Sequence, residues 1–234
     1  MATWVFLEGF ESWYPSEAVG NRCSQVFDAQ RARSGSGFLS LEETSSASQT
    51  SAYGHASIAG PPVDGRLNLA SASSDWGIFR FRLFLRRFAA ASVKRTVVHC
   101  TPALRNSGSL QAVVIQGDGA IHLAFRHGTG GTLVEGSASS VVVPLNDQRW
   151  TKIEGFFRMQ HPSVGNATVE SEVTITDPDG ASDTLTQSAS ELAQLTTPVA
   201  YDWFGIFNPT APYNSAGTWK YHVDDFIVTG ASGA

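Results

Sequence analysis

Apolar and polar residues alternate along most of this chain with the two-residue period of an extended strand. In 76–88, Phe79, Phe81, Leu83 and Leu85 fall on one face, and Arg80, Arg82, Phe84 and Arg86 on the other. The same division recurs in 150–159, where Ile153, Gly155, Phe157 and Met159 oppose Lys152, Glu154, Phe156 and Arg158, and in 120–127, where Ile121, Leu123 and Phe125 oppose His122 and Arg126. The first set of each segment predicts a dry core face, and the second a charged outer face carrying an occasional aromatic ring. Further β-branched and aromatic runs (TWVFLEGF, GFLSL, KRTVVHC, SLQAVVIQ, ATVESEVTI, VAYDWFGIF, KYHVDDFIV) are separated by Gly, Ser, Asn, Asp and Pro. QGDGA (116–120) carries the Asp-Gly pair of a hairpin, and DPDG (177–180) predicts a tight turn. Only SASELAQL (188–195) reads as a short helix or turn. The expected fold is all-β, an antiparallel two-sheet sandwich, in one domain spanning residues 1–234.

Composition narrows the classes of function. A chain of 234 residues with 42% hydrophobic content can bury a substantial core. No apolar run approaches the ~20 residues of a membrane-spanning helix, and the opening MATWVFLEGF lacks the basic and apolar regions of an export signal. No membrane insertion is expected. With 16 basic against 21 acidic residues, the net charge of -5 argues against nucleic-acid binding by phosphate neutralisation. Cys23 and Cys100 match no metal-ligand spacing, and both a disulfide and two free thiols are open for them.

The sequence carries no recognisable catalytic motif. There is no GxSxG elbow, no HExxH spacing among the six histidines, and no lysine after HGTGGT (127–132) to make it a phosphate loop. Glu170 and Glu172 share a strand face opposite Val169, Val173 and Ile175, and read as a solvated edge rather than an acid and nucleophile pair. The arginine face is more informative. Arg80, Arg82, Phe84 and Arg86, with Phe156 and Arg158, form a candidate ligand or partner surface, because guanidinium forks hold anions and aromatic rings stack on sugars. Cross-strand pairing with Glu154 and a protein interface are the alternatives. Trp13, Trp203, Tyr213 and Trp219 are candidate exposed aromatics for either kind of binding.

A second question lies in YHVDDFIV (221–228), where a strand built for burial carries two adjacent aspartates. Buried carboxylates need compensation by pairing, hydrogen bonds or a metal. Taken with VFLEGFESW (5–13) and SGSGFLSL (34–41), this segment resembles the concanavalin A-like jelly rolls, including MAM-type and carbohydrate-binding modules. The resemblance implies a closing strand that returns beside the first. It also implies a structural calcium ion held by Glu11, Asp224 and Asp225, hard oxygen ligands that such an ion takes. Neighbouring strand residues point to opposite faces, so both aspartates reach one site only across a bulge or at a sheet edge.

With no catalytic motif, the expectation is that the protein is not an enzyme. The function expected from the family analogy is a bacteriophage virion structural protein, either a capsid decoration subunit or a minor tail or fibre component. It would be made in the host cytoplasm and assembled with itself as a homo-oligomer and with other virion proteins. A carbohydrate-binding module for a cell-surface glycan is the alternative.

Overall fold

The computed structural model describes residues 2–8, 23–43, 56–58, 76–89, 94–102, 110–126, 132–160, 167–192, 201–206 and 219–233. These form fourteen strands and no helix: β1 Ala2–Glu8, β2 Cys23–Phe27, β3 Gly37–Glu43, β4 Ala56–Ile58, β5 Trp76–Ala89, β6 Arg95–Pro102, β7 Leu110–Ile115, β8 Ile121–Arg126, β9 Leu133–Glu135, β10 Thr151–Gln160, β11 Ala167–Thr176, β12 Ser182–Leu192, β13 Tyr201–Ile206 and β14 Trp219–Gly233. Antiparallel pairing assembles them into an eight-stranded sheet, ordered β12-β11-β10-β5-β14-β3-β2 with β1 also on β14, and a six-stranded sheet ordered β4-β13-β6-β7-β8-β9. The fold is a jelly-roll β-sandwich of the concanavalin A-like type. The helix expected over 188–195 is not formed as far as Leu192, because β12 continues to that residue by pairing with β11.

The faces follow the alternation. Phe79, Phe81, Leu83 and Leu85 of β5, Ile153, Phe157 and Met159 of β10, and Ile121, Leu123 and Phe125 of β8 all enter the core between the sheets. Phe157 stacks on Phe79 with centroids 6.0 Å apart and meets Phe81 at 5.1 Å. Removing each such side chain from water contributes about 1.5–3 kcal/mol. Gly155 faces this cluster where β10 and β11 lie so close that a Cβ would stand 2.0 Å from the Glu172 carbonyl oxygen. The six-stranded sheet departs from a simple inside-outside division. Its outer face is also dry, with Leu110, Ala112, Val114 and Ala124 forming a second cluster, so β7 is buried on both sides.

The hairpin between β7 and β8 closes as its Asp-Gly pair predicts. Gly119 sits at φ 96, and Asp118 accepts the Ala120 amide at 2.9 Å. Arg87, buried on the core side of β5, fastens this turn to the 141–145 segment. Its guanidinium donates to the carbonyls of Val143 (3.0 Å), Asp118 (2.8 Å) and Gly117. Cys100 is a buried free thiol whose pKa burial pushes up, and Trp219, expected to be exposed, is buried beside Tyr221.

The closing strand β14 is shared between two partners along one edge. Trp219 to Val223 pair with β3, and Phe226 to Ser232 pair with β1, while β5 occupies the other edge throughout. The chain ends therefore meet, as the resemblance implies. Asp224 and Asp225 lie at the handover, where the register shifts between Asp224 and Ile227 and Asp225 takes φ 48.

Candidate functional site

At this bulge both aspartates reach one partner, the 28–36 turn between β2 and β3. Fully buried Asp224 accepts the Arg33 amide at 2.7 Å through one oxygen and the Asp225 amide at 2.7 Å through the other. Burial pushes its pKa up to about 6 against the opposing effect of these amides. Asp225 accepts the Ser34 hydroxyl at 2.6 Å, and its second oxygen lies 3.6 Å from the Arg33 guanidinium. The turn is closed internally by Asp28, whose amide donates to the Ser36 carbonyl at 2.7 Å and whose carboxylate takes the Arg31 guanidinium at 2.6 Å. Two carboxylates on the last strand thus secure a turn 191 residues earlier in the chain. The calcium expectation also involved Glu11, which lies outside the described residues. Its other two members direct their oxygens to these N–H and O–H donors.

Beside the turn, the outer face of the eight-stranded sheet is covered rather than exposed, which corrects the placing of Arg86 on the candidate surface. Arg86 is 2% exposed. Its guanidinium lies 3.9 Å from the Trp150 ring centroid and donates to the Gln148 carbonyl at 2.9 Å and to His222 Nδ1 at 3.2 Å. Because arginine only donates, Nδ1 of His222 is the acceptor and the ring is neutral with its proton on Nε2. Phe38 and Phe88 flank the imidazole at 4.5 and 4.4 Å. Burial first, and then the Arg86 charge, holds the His222 pKa down to about 3, while burial brings Arg86 down to about 10.

Further along the same face a groove of about 550 Å³ opens, lined by Arg80, Arg82, Glu154, Phe156, Glu172 and Ile227 among others. Register places its side chains in two rows across the sheet. Thr229, Arg80, Phe156 and Glu172 form one, and Ile227, Arg82, Glu154 and Thr174 the next. Arg80 and Arg82 are exposed, and among the described residues neither forms an ion pair or a hydrogen bond. Arg82 faces Glu154 across the strands, but Glu154 pairs instead with Lys152 at 2.6 Å. Phe156 is half-buried and offers ring surface between Arg80 and Glu172.

Of the other residues expected on this surface, Phe84 lies beneath Arg33, whose guanidinium is 4.2 Å from its centroid. Arg158 stands one row beyond the groove, paired with Glu170 at 3.3 Å in an exposed contact of small energetic weight. Sequence reasoning missed the groove's carboxylates. Glu172 is not on a solvated edge, because β12 pairs outside β11, and it sits diagonally across from Glu154. The signal that finds them is register, which the alternation of a single strand does not contain.

Two histidines lie on the dry outer face of the six-stranded sheet. His99 is opposite Ala112, and His122 is opposite Val114. His122 Nδ1 is 3.1 Å from the Gly136 carbonyl oxygen, and its buried Nε2 has no hydrogen-bond partner among the described residues.

No protein-family model and no curated protein sequence matches the chain. Solved structures do. A marine PL-14 alginate lyase from Aplysia kurodai superposes with a TM-score of 0.56 at 12% identity, covering 89% of this chain and 87% of its own. The alginate lyase vAL-1 from Chlorella virus gives 0.55 at 12% identity with 89% of both chains, and the alginate lyase Aly36B gives 0.53 at 7% identity with 96% of both. Likeness at these identities establishes the jelly-roll fold. Against the expectation of a non-enzymatic virion protein, several of the solved structures that share this fold over most of the chain are alginate lyases, which are enzymes. The absence of a contiguous motif does not argue against a site in such a fold, because in a sandwich neighbouring strands can each bring one group to a groove.

Proposed function

We propose that the protein is a carbohydrate-active enzyme that cleaves a uronate-containing polysaccharide in the groove over β5, β10 and β11. The observation that carries this reading is the pair of exposed arginines, Arg80 and Arg82, both without a partner among the described residues and both on the groove wall. Guanidinium forks bind carboxylates through two parallel hydrogen bonds, and Phe156 beside them suits the apolar face of a sugar ring. The resemblance to three alginate lyases supports β-elimination as the reaction.

The groove has the groups that this chemistry needs. Neutralising the uronate carboxylate with arginine stabilises the negative charge that develops when the C5 proton leaves. Glu154 and Glu172, diagonal neighbours on adjacent strands, have α-carbons ~7–8 Å apart, on either side of a bound sugar. One carboxylate takes the C5 proton; the C4–O bond breaks as the C4–C5 double bond forms; and the other group, protonated, supplies the proton to the departing oxygen.

The test is incubation with alginate, polygalacturonate and hyaluronate, following the ultraviolet absorbance of the unsaturated uronate alongside reducing ends. Cleavage with the absorbance is expected, and Arg80→Ala/Arg82→Ala should reduce it about a hundredfold or more while the melting temperature holds. Reducing ends without the absorbance would identify hydrolysis and overturn the elimination step. No cleavage of any of the three, or full activity in the double variant, would overturn the reading.

A further inference from the structure

We infer that the 28–36 turn adds a further anion subsite to this groove, in which Arg33, set over Phe84 by the Asp224–Asp225 clamp, takes the carboxylate of a sugar beyond the one held at Arg80 and Arg82. This rests on the groove being the polysaccharide site. The outer face of β5 runs Arg80, Arg82, Phe84, and Phe84 is ~7 Å along the strand from Arg82. The Arg33 guanidinium above Phe84 therefore continues the row of cations in the direction of the strand.

Three features distinguish Arg33 from an ordinary surface charge. Its backbone is fixed, with its amide held by the buried Asp224 carboxylate and the next residue's hydroxyl held by Asp225. Its side chain is supported from below by an aromatic ring and is 41% exposed. Its charge is incompletely answered. Asp225 is 3.6 Å away, against the ~2.7–2.9 Å of a direct charge-assisted hydrogen bond, and the other oxygen of Asp225 is occupied by Ser34. Arg31, in the same turn, is by contrast bonded to Asp28 at 2.6 Å. Across β5 from the clamp, Lys152 is already paired with Glu154. Arg33 is the cation of this turn with donors available to a ligand, and the clamp has already removed the entropy of ordering its backbone.

Binding of saturated oligogalacturonates and oligomannuronates of stepped length tests the inference, by calorimetry on the full chain and on Arg33→Ala, Arg33→Lys, Asp224→Asn and Arg80→Ala. Arg33→Ala should leave the shortest bound oligomer unaffected and bind the long ones about tenfold more weakly, the equivalent of one charge-assisted contact. Arg33→Lys should recover part of that loss, and Asp224→Asn, which loosens the turn, should reproduce it. Equal weakening at every length, or none in Arg33→Ala while Arg80→Ala weakens all lengths, overturns the subsite and leaves the groove standing. Length-dependent loss in Arg33→Ala with no effect of Arg80→Ala overturns the groove reading instead.

Discussion

Asp224 and His222 stand two residues apart on β14, and burial displaces them in opposite senses, which predicts an unusual dependence of stability on pH. Asp224 rises from 3.8 to about 6, so between about pH 4 and pH 6 the folded chain holds a proton there that the unfolded chain has released. Its burial therefore destabilises the fold above pH 6, and the fold regains stability as pH falls through that value. His222 falls from 6.5 to about 3, so over that range the unfolded chain binds a proton that the folded one rejects. The stability associated with its neutral ring is complete above pH 6.5 and is lost progressively on acidification towards pH 3. Each group contributes a slope of ~1.4 kcal/mol per pH unit, with opposite signs. Between about pH 4 and pH 6 the two slopes cancel.

Removing either partner exposes the other. Asp224→Asn should lose about 3 kcal/mol relative to the parent on going from about pH 6 to pH 4, because only the His222 slope remains. His222→Gln, which keeps an acceptor for Arg86 but does not titrate there, should gain a similar amount over the same interval. Urea unfolding followed by tryptophan fluorescence at several pH values gives the differences directly. Asp147 and Asp183, whose pKa values are lowered by their hydrogen-bond donors outside the 28–36 turn, titrate alike in all three proteins and drop out of the comparison. Parallel curves for the parent and both variants would refute the assignment of a raised Asp224 and a depressed His222.

Three further outcomes follow from contacts already described. Gly155→Ala should cost about 2–4 kcal/mol in unfolding free energy, because the atoms its Cβ would meet at 2.0 and 2.9 Å are backbone of β11 and the strands must part; an unchanged melting temperature would contradict that close approach. Arg87→Met should cost about 3 kcal/mol and speed amide exchange across 116–120, since the Val143, Gly117 and Asp118 carbonyls lose their donor; unaltered exchange there would show that the hairpin holds without it. On the proposed elimination, Glu154→Gln and Glu172→Gln should each lower kcat about a hundredfold with little change in stability, and a rate indifferent to both would place the proton transfers elsewhere.

How much of this was legible in the sequence depends on the distance over which each feature is determined. Alternation assigns the core face of β5 correctly, because whether Phe79 or Arg80 points inward is decided within two residues. The same alternation places Arg86 with Arg80 and Arg82, and there it fails. Arg86 is buried because Trp150, Gln148 and His222, from other parts of the chain, close over that end of the face, whereas among the described residues nothing comparable closes over Arg80. The doubled aspartate is an intermediate case. Its need for compensation is local chemistry and can be read from YHVDDFIV, and the bulge required to bring both carboxylates together is present. The compensating amides and hydroxyl belong to Arg33 and Ser34, which no local pattern links to β14. The groove is the least legible of all. Glu154 and Glu172 become neighbours only once β10 and β11 are set in register, and a shift of one residue would turn either to the core face. Carboxylates brought together in this way leave no motif, so no contiguous pattern marks the groove where strand pairing sets Glu154 and Glu172 beside two arginines that have no partner among the described residues.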